Sequence, residues 1–238
     1  MVSAAIMTPH SWEPCFLLHS RSFGDTSIIA DVFTESSGKV SIVAKGAKNP
    51  RSKFFGHLLP FSALKIMVTG KSDMKTLTQI DSNYLSQSAK GPHDLYTYLY
   101  VNELMIRLLP KGLANLELYQ LYSNFVDLAR LDAIEESALR IFELDLLDIL
   151  GYGINFDTDM NENSEFRDSV IYSYKPERGF YPSNDNLGFT ADEIFLIKNR
   201  EVQDIDKLKL KQLSQVAITA CLDGRELSSR EFFKKIKI

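Results

Sequence analysis

Five short runs rich in β-branched and aromatic residues fill the first 81 positions, with turn signals between them. They are Trp12 to Ser20, Ser27 to Thr34, Lys39 to Ala44, Phe61 to Thr69 and Lys75 to Asp81. Ser22-Phe-Gly-Asp25 and Glu35-Ser-Ser-Gly38 separate the first three, and Gly70-Lys-Ser-Asp73 joins the last two. This punctuation predicts consecutive antiparallel strands. Five strands in so short a span fit a small closed barrel, of which the five-stranded OB-fold is the version that binds oligonucleotides. An SH3-like barrel is the structural competitor, and periodicity alone does not separate the two.

The pattern changes at Ser82. Leu95 to Leu109 places apolar residues at three- and four-residue spacing and stops at Pro110-Lys-Gly112. Leu116 to Leu131 and Ile134 to Leu150 repeat it, and the second closes on Gly151-Tyr-Gly153, a left-handed C-cap signal. Three such helices imply a bundle beside the barrel, and their Tyr and Phe stripes read as core. From Asn155 to Gly188 the chain is polar and turn-rich, with a hairpin expected around Val170 to Tyr174 and Gly179 to Tyr181. Its acidic residues Asp157, Asp159, Glu162 and Glu165 lack calcium-loop spacing, and no Cys or His lies among them, so they read as a solvated loop. Thr190-Ala-Asp-Glu193 forms a capping-box signature for a helix through Lys198, and Lys207 to Leu222 and Ser229 to Lys237 supply two more. The expected class is therefore α+β. Residues 1–81 form the barrel domain and 82–238 a mainly helical domain, with 154–189 as a polar hairpin insert.

Between the third and fourth strands runs the segment Lys45 to His57. It holds Lys45, Lys48, Arg51 and Lys53, followed by Phe54, Phe55 and His57, and contains no acidic residue. Gly46, Asn49, Pro50 and Gly56 break helix and strand alike, so it should be a surface loop. Cations beside aromatic faces form a template for single-stranded nucleic acid. The competing reading is a solvated basic loop whose two Phe residues tuck into the core. Arg21, Lys39 and Lys71 are secondary candidates, with Lys39 also readable as a polar edge residue. Charge favours the binding reading: residues 1–80 carry nine basic and five acidic side chains, a net of +4. At a whole-chain net of −4, the remainder then carries −8. Such asymmetry suggests one domain for a polyanion and another for something else.

Other classes find less support. The chain has 45% hydrophobic and 24% charged residues, as in an ordinary globular protein. No apolar run approaches the roughly 20 residues of a membrane span, and the start lacks the basic region of a signal peptide. Cys15 and Cys221 do not suggest a disulfide framework, and a reducing cytoplasm fits. There is no Walker loop, no Gly-x-Gly-x-x-Gly after a strand, no Gly-x-Ser-x-Gly and no His-Glu-x-x-His. The four histidines (His10, His19, His57, His93) have no neighbour at ligand spacing, and Glu143, Asp145 and Asp148 read as a solvated helix face. Nothing recommends an enzyme.

An ordered set of short motifs carries a resemblance. His19-Ser-Arg-Ser-Phe-Gly-Asp-Thr-Ser27, Asp31-Val-Phe-Thr-Glu-Ser-Ser-Gly38, Val43-Ala-Lys-Gly-Ala-Lys48 and Leu59-Pro-Phe61 lie in the first part of the chain. Tyr100-Val-Asn-Glu-Leu104, Leu139-Arg-Ile-Phe-Glu-Leu144, Leu150-Gly-Tyr-Gly153 and Gly224-Arg-Glu-Leu-Ser-Ser-Arg-Glu-Phe-Phe233 follow. Together they resemble the RecO family of recombination mediators. The resemblance implies an N-terminal OB-fold, binding of single- and double-stranded DNA, annealing of complementary strands, and help in loading the RecA recombinase onto DNA coated with single-stranded-DNA-binding protein (SSB). It implies RecR as partner, RecF in the same pathway, and a cytoplasmic, nucleoid-associated setting. Many relatives carry a four-cysteine zinc site after Leu-Gly-Tyr-Gly. Ile154 to Tyr181 has no cysteine, so the chain resembles the zinc-less branch and no metal or other cofactor is expected.

In that reading, four phosphate contacts from Lys45, Lys48, Arg51 and Lys53 give a single-strand log–log salt slope of about −3. A base stacked on Phe54 or Phe55 adds roughly 1–3 kcal/mol. The acidic, Phe-ended SSB tail would want an apolar groove rimmed by a cation. Arg140 is the first choice for that rim, followed by Lys207, Lys209 and Lys211 beside Leu208, Leu210 and Leu213. Arg140 paired with Glu136 on a helix surface is the competing assignment. Two other functions stay open: a barrel-plus-helix adaptor for protein peptides, and an RNA-binding OB protein.

Overall fold

A computed structural model of the chain describes residues 11–59, 61–82, 91–131, 133–160, 165–185 and 188–231. Strands β1 (Glu13–Phe23), β2 (Ser27–Thr34), β3 (Gly38–Ala44), β4 (Ala63–Thr69) and β5 (Met74–Asp81) close a barrel in the order β1-β2-β3-β5-β4. β3 and β5 pair in parallel, and every other pairing is antiparallel. This is the OB-fold. Alternation builds its core: Leu64, Ile66 and Val68 of β4 point inward while Lys65 is exposed. Leu17, Val32 and Ile42 meet them there, each with no accessible surface.

The register of β1 against β2 slips between Leu17 and His19, a bulge that bends the strand. Leu17 turns instead to the chain before β4, donating to the Ser62 carbonyl at 3.1 Å and accepting from the Phe61 N–H at 3.2 Å. The Leu18 carbonyl is met by a helix. α1 (Pro92–Leu108) presents buried Asn102, whose Nδ2 donates to that carbonyl at 2.6 Å. In α2 (Leu116–Leu131), the fully buried Tyr122 hydroxyl donates to Asn102 Oδ1 at 2.6 Å. Around this polar knot the contacts are aromatic. Phe16 and Phe33 of the barrel pack on Tyr119 and Tyr122 at centroid separations of 5.1–6.1 Å. The chain returns here near its end: Glu103 accepts from the N–H groups of Ser228 and Ser229 at 3.0 and 2.8 Å.

These contacts gather the barrel, α1, α2 and the last segment into one compact unit, Met1–Ala133 with Leu227–Ile238. Periodicity changes at Ser82, but packing keeps the first two helices with the barrel.

The second unit is Ile134–Glu226. It holds α3 (Glu136–Ile149), β6 (Ile171–Lys175), β7 (Gly179–Ser183), α4 (Ala191–Lys198) and α5 (Lys207–Cys221). α3 ends as its glycine signal predicts. Gly151, at φ +80°, donates to the Asp148 carbonyl and Tyr152 donates to that of Leu147, the paired bonds of a Schellman cap. The Thr190–Glu193 capping box opens α4. In the hairpin insert, Phe180 has no accessible surface. Phe156, Phe166, Tyr174 and Phe189 surround it at centroid distances of 5.4–5.9 Å. The helix expected over Ser229–Lys237 falls mostly outside the described residues, as does Glu162.

Candidate nucleic-acid interface

The segment from Lys45 to His57, between β3 and β4, folds as successive turns. Asn49 donates to the Gly46 carbonyl at 2.9 Å, Ser52 to that of Asn49 at 2.8 Å, and Phe55 to that of Ser52 at 3.1 Å. The Asn49 and Ser52 side chains accept from the N–H groups of Arg51 and Phe54 in turn. Short polar side chains bonding backbone two residues on explain why the chain turns here.

Of the two adjacent Phe residues, one is anchor and one is surface. Phe54 is 7% exposed and belongs to the barrel core with Ala47 and Leu58. That corrects its assignment as a stacking residue: its ring is used to hold the loop down. Phe55 is 49% exposed.

The cations divide likewise. Lys45, Arg51 and Lys53 are exposed, with the Lys53 ammonium 5.3 Å from the Phe54 ring centroid. Lys48 is half-buried, and its Nζ donates to the carbonyls of Gly24 (3.0 Å) and Asp25 (3.4 Å). Its backbone N–H donates to the Thr26 carbonyl at 2.8 Å. Lys48 therefore fastens the basic loop to the β1–β2 turn, close in sequence to exposed Arg21 and to Phe23, which is 51% exposed. Phe23 went unmarked in sequence because it sits inside a turn motif. The available signal was a large ring in Ser-Phe-Gly-Asp, where a turn needs none. His57 is half-buried, with Nδ1 hydrogen-bonded to Ser82 Oγ, and Lys71 is exposed on the β4–β5 turn.

Lys39 leaves the site. It is buried, and its ammonium donates to the Ile106 carbonyl at 2.5 Å, near the end of α1. Burial lowers its pKa from the ordinary lysine value; nearby Lys111 pushes the same way, while Asp31 opposes it. A cation held against a helix end is not offered to a phosphate.

In the second unit the expected groove residues turn inward. Arg140 is buried, and Nη1 meets both carboxylate oxygens of fully buried Glu143 at 2.8 and 2.6 Å, with Glu136 at 3.8 Å from Nη2. An arginine consumed by a buried ion pair does not rim an open groove. Leu213 and Leu210 are core, and Lys209 bonds both oxygens of Glu193 at 3.0 Å. Lys207 and Leu208 remain exposed and Lys211 half-exposed.

Among the described residues, no group of three or more His, Cys, Asp or Glu is placed to hold a metal ion, and no helix is long and apolar enough to cross a membrane.

Both parts of the chain match known protein families. Residues 7–84 match the family described as Recombination protein O N terminal, and residues 91–224 the one described as Recombination protein O C terminal. DNA repair protein RecO of Salmonella enteritidis is 39% identical over 228 residues, covering 94% of this chain and 94% of that protein. The proteins of the same name from Salmonella gallinarum and Salmonella agona match to the same extent. Two domain matches in order and this identity across nearly the whole length have one consequence: the chain belongs to the RecO family.

Proposed function

We propose that the protein is a DNA-binding recombination mediator in DNA repair. It binds single- and double-stranded DNA, anneals complementary strands, and helps load RecA onto SSB-coated single strands, with RecR as partner and RecF in the same pathway. The role is non-enzymatic, cytoplasmic and nucleoid-associated. Residues 1–81 supply the DNA site and 82–238 the partner surfaces.

One observation carries this reading: Lys45, Arg51 and Lys53 stand exposed on a loop without a single acidic residue, pinned to an OB barrel. Phosphates neutralised there release condensed counterions, which lowers the repulsion between two approaching strands. Arg21 lies at the end of the barrel that carries the loop and adds to its positive charge, His57 and Phe55 belong to the loop itself, and Lys71 is a separate exposed cation on the β4–β5 turn. With Lys48 bonded to carbonyls, three phosphate contacts replace four, and the single-strand salt slope from the loop becomes about −2. For the SSB tail, Lys207 and Lys211 beside exposed Leu208 are the remaining candidates.

The test is annealing of complementary oligonucleotides, naked and SSB-coated, by wild type and a Lys45→Ala/Arg51→Ala/Lys53→Ala variant whose melting temperature is unchanged. Loss of annealing with a shallower salt dependence supports the reading. Equal activity moves the DNA site off the loop. No annealing by either protein favours a peptide-binding adaptor, and preference for RNA of matched sequence favours an RNA-binding protein.

A further inference from the structure

Phe23 ends β1 opposite Ser27 and contributes nothing to the barrel core. A half-exposed ring is ordinary on a protein surface. Its surroundings are not. The three hydrogen bonds of Lys48 tie the turn that follows Phe23 to the loop that carries Phe55, Lys45, Arg51 and Lys53. Two exposed aromatic rings thus ride on two segments joined through one residue, and the exposed charge on the joined loop is wholly positive. The two Lys48 carbonyl bonds also occupy the ammonium that a phosphate contact would need.

We propose that Phe23 and Phe55 form a base-stacking platform selective for single strands. Lys48 is then a positioning residue that latches the platform together, not a phosphate contact. This rests on the reading that the basic loop binds DNA. An aromatic ring stacks on any base with a free face, whatever the sequence, and only unpaired bases offer one. Duplex bases are stacked on each other, so the rings add nothing to duplex binding, while the cations act on both forms. Absolute affinity therefore follows the cations, and the preference for single over double strands follows the rings. For annealing this has a direct use. Strands are held with bases splayed on the rings, and pairing withdraws the bases, so the duplex product loses the ring contribution that helped hold its precursors.

The test measures binding of a labelled oligothymidine and of a labelled duplex of equal length over a salt series, by fluorescence anisotropy. Phe23→Leu keeps apolar bulk without a ring, and Phe23→Trp restores one. Phe23→Leu is expected to weaken single-strand binding about 5- to 150-fold, the counterpart of 1–3 kcal/mol at tenfold per 1.4 kcal/mol. Duplex affinity and salt slope stay as in wild type, and Phe23→Trp recovers the loss. Lys48→Met is expected to weaken single-strand binding with the slope unchanged. Unchanged single-strand binding by Phe23→Leu, or equal losses on both DNA forms, overturns the platform. A slope shallower by about 0.7 in Lys48→Met makes that residue a phosphate contact after all. The triple Ala variant of the loop separates the two readings. If it loses DNA while Phe23→Leu does not, DNA binding at the loop stands and the platform fails. If it binds as wild type, both fail.

Discussion

Replacing Asn102 by Ala removes the amide that links β1, α1 and α2. Its Nδ2 satisfies the Leu18 carbonyl left over by the β1 bulge, and its Oδ1 accepts from the Tyr122 hydroxyl, both at 2.6 Å and both buried. Burial raises the Tyr122 pKa, so the phenol stays a donor across the ordinary pH range. The substitution leaves one carbonyl and one hydroxyl without these partners, at about 1–3 kcal/mol each, or about 2–6 kcal/mol in all. Tyr122→Phe alone strands only Asn102 Oδ1 and should cost about 1–3 kcal/mol. In the double variant neither the hydroxyl nor Oδ1 remains to be stranded, and only the Leu18 carbonyl lacks its partner. Its cost therefore falls short of the sum of the singles by about 2–6 kcal/mol. Trp12, the one tryptophan in the chain, lies next to β1 and reports unfolding of this unit. Urea titrations of the four proteins, followed by its fluorescence, give the cycle. A mid-range loss of about 4 kcal/mol corresponds to a melting temperature lower by roughly 8–16 °C for a unit of this size. Fully additive costs, or an Asn102→Ala loss below about 0.5 kcal/mol, would falsify the assignment of Asn102 as the keystone.

Three further outcomes are expected. Phe180→Ala removes the centre of the insert's aromatic cluster and should destabilise the second unit by about 3–5 kcal/mol, read by calorimetry, with the Trp12 transition unmoved. Arg140→Met leaves Glu143 buried without its counter-ion at about 3–5 kcal/mol, and Arg140→Met/Glu143→Leu recovers most of that; a single variant as stable as wild type would mean that Arg140 is free for a partner. Lys39→Met should leave DNA affinity and salt slope untouched while changing the alkaline stability profile. The Lys39 pKa is lowered by folding, so between its folded value and the ordinary 10.5 the unfolded chain binds more protons and Lys39 makes stability rise with pH. Subtracting the variant's denaturation profile from that of wild type isolates this rise, and a flat difference would show that Lys39 is not desolvated.

How far the sequence reached depends on where each residue's neighbours come from. Ser27–Thr34 and Leu116–Leu131 were legible to the residue, because an apolar run bounded by turn residues is a local property. β1 runs three residues past its expected end, since beyond the bulge His19 to Phe23 keep pairing with β2 without the apolar alternation that marks a strand. The candidate site divides on the same line. Lys45, Arg51 and Lys53 are exposed as their surroundings of Gly, Asn, Pro and Ser suggest, and among the described residues no distant element covers them. Phe54 and Phe55 are chemically identical neighbours, and what separates them is that Ala47 and Leu58 share the barrel core with the first. Lys39 carries no local sign that Ile106, 67 positions on, will take its ammonium. Arg140 has glutamates at both helical spacings, and the choice of Glu143 follows from burial, where a bidentate pair is needed to offset desolvation. Each misplaced cation was thus one whose chemistry fits a phosphate and a buried acceptor equally well. In a charged protein, the cations left for a polyanion are those that the fold has not covered, so a DNA site can be nominated from sequence but its members must be chosen from packing.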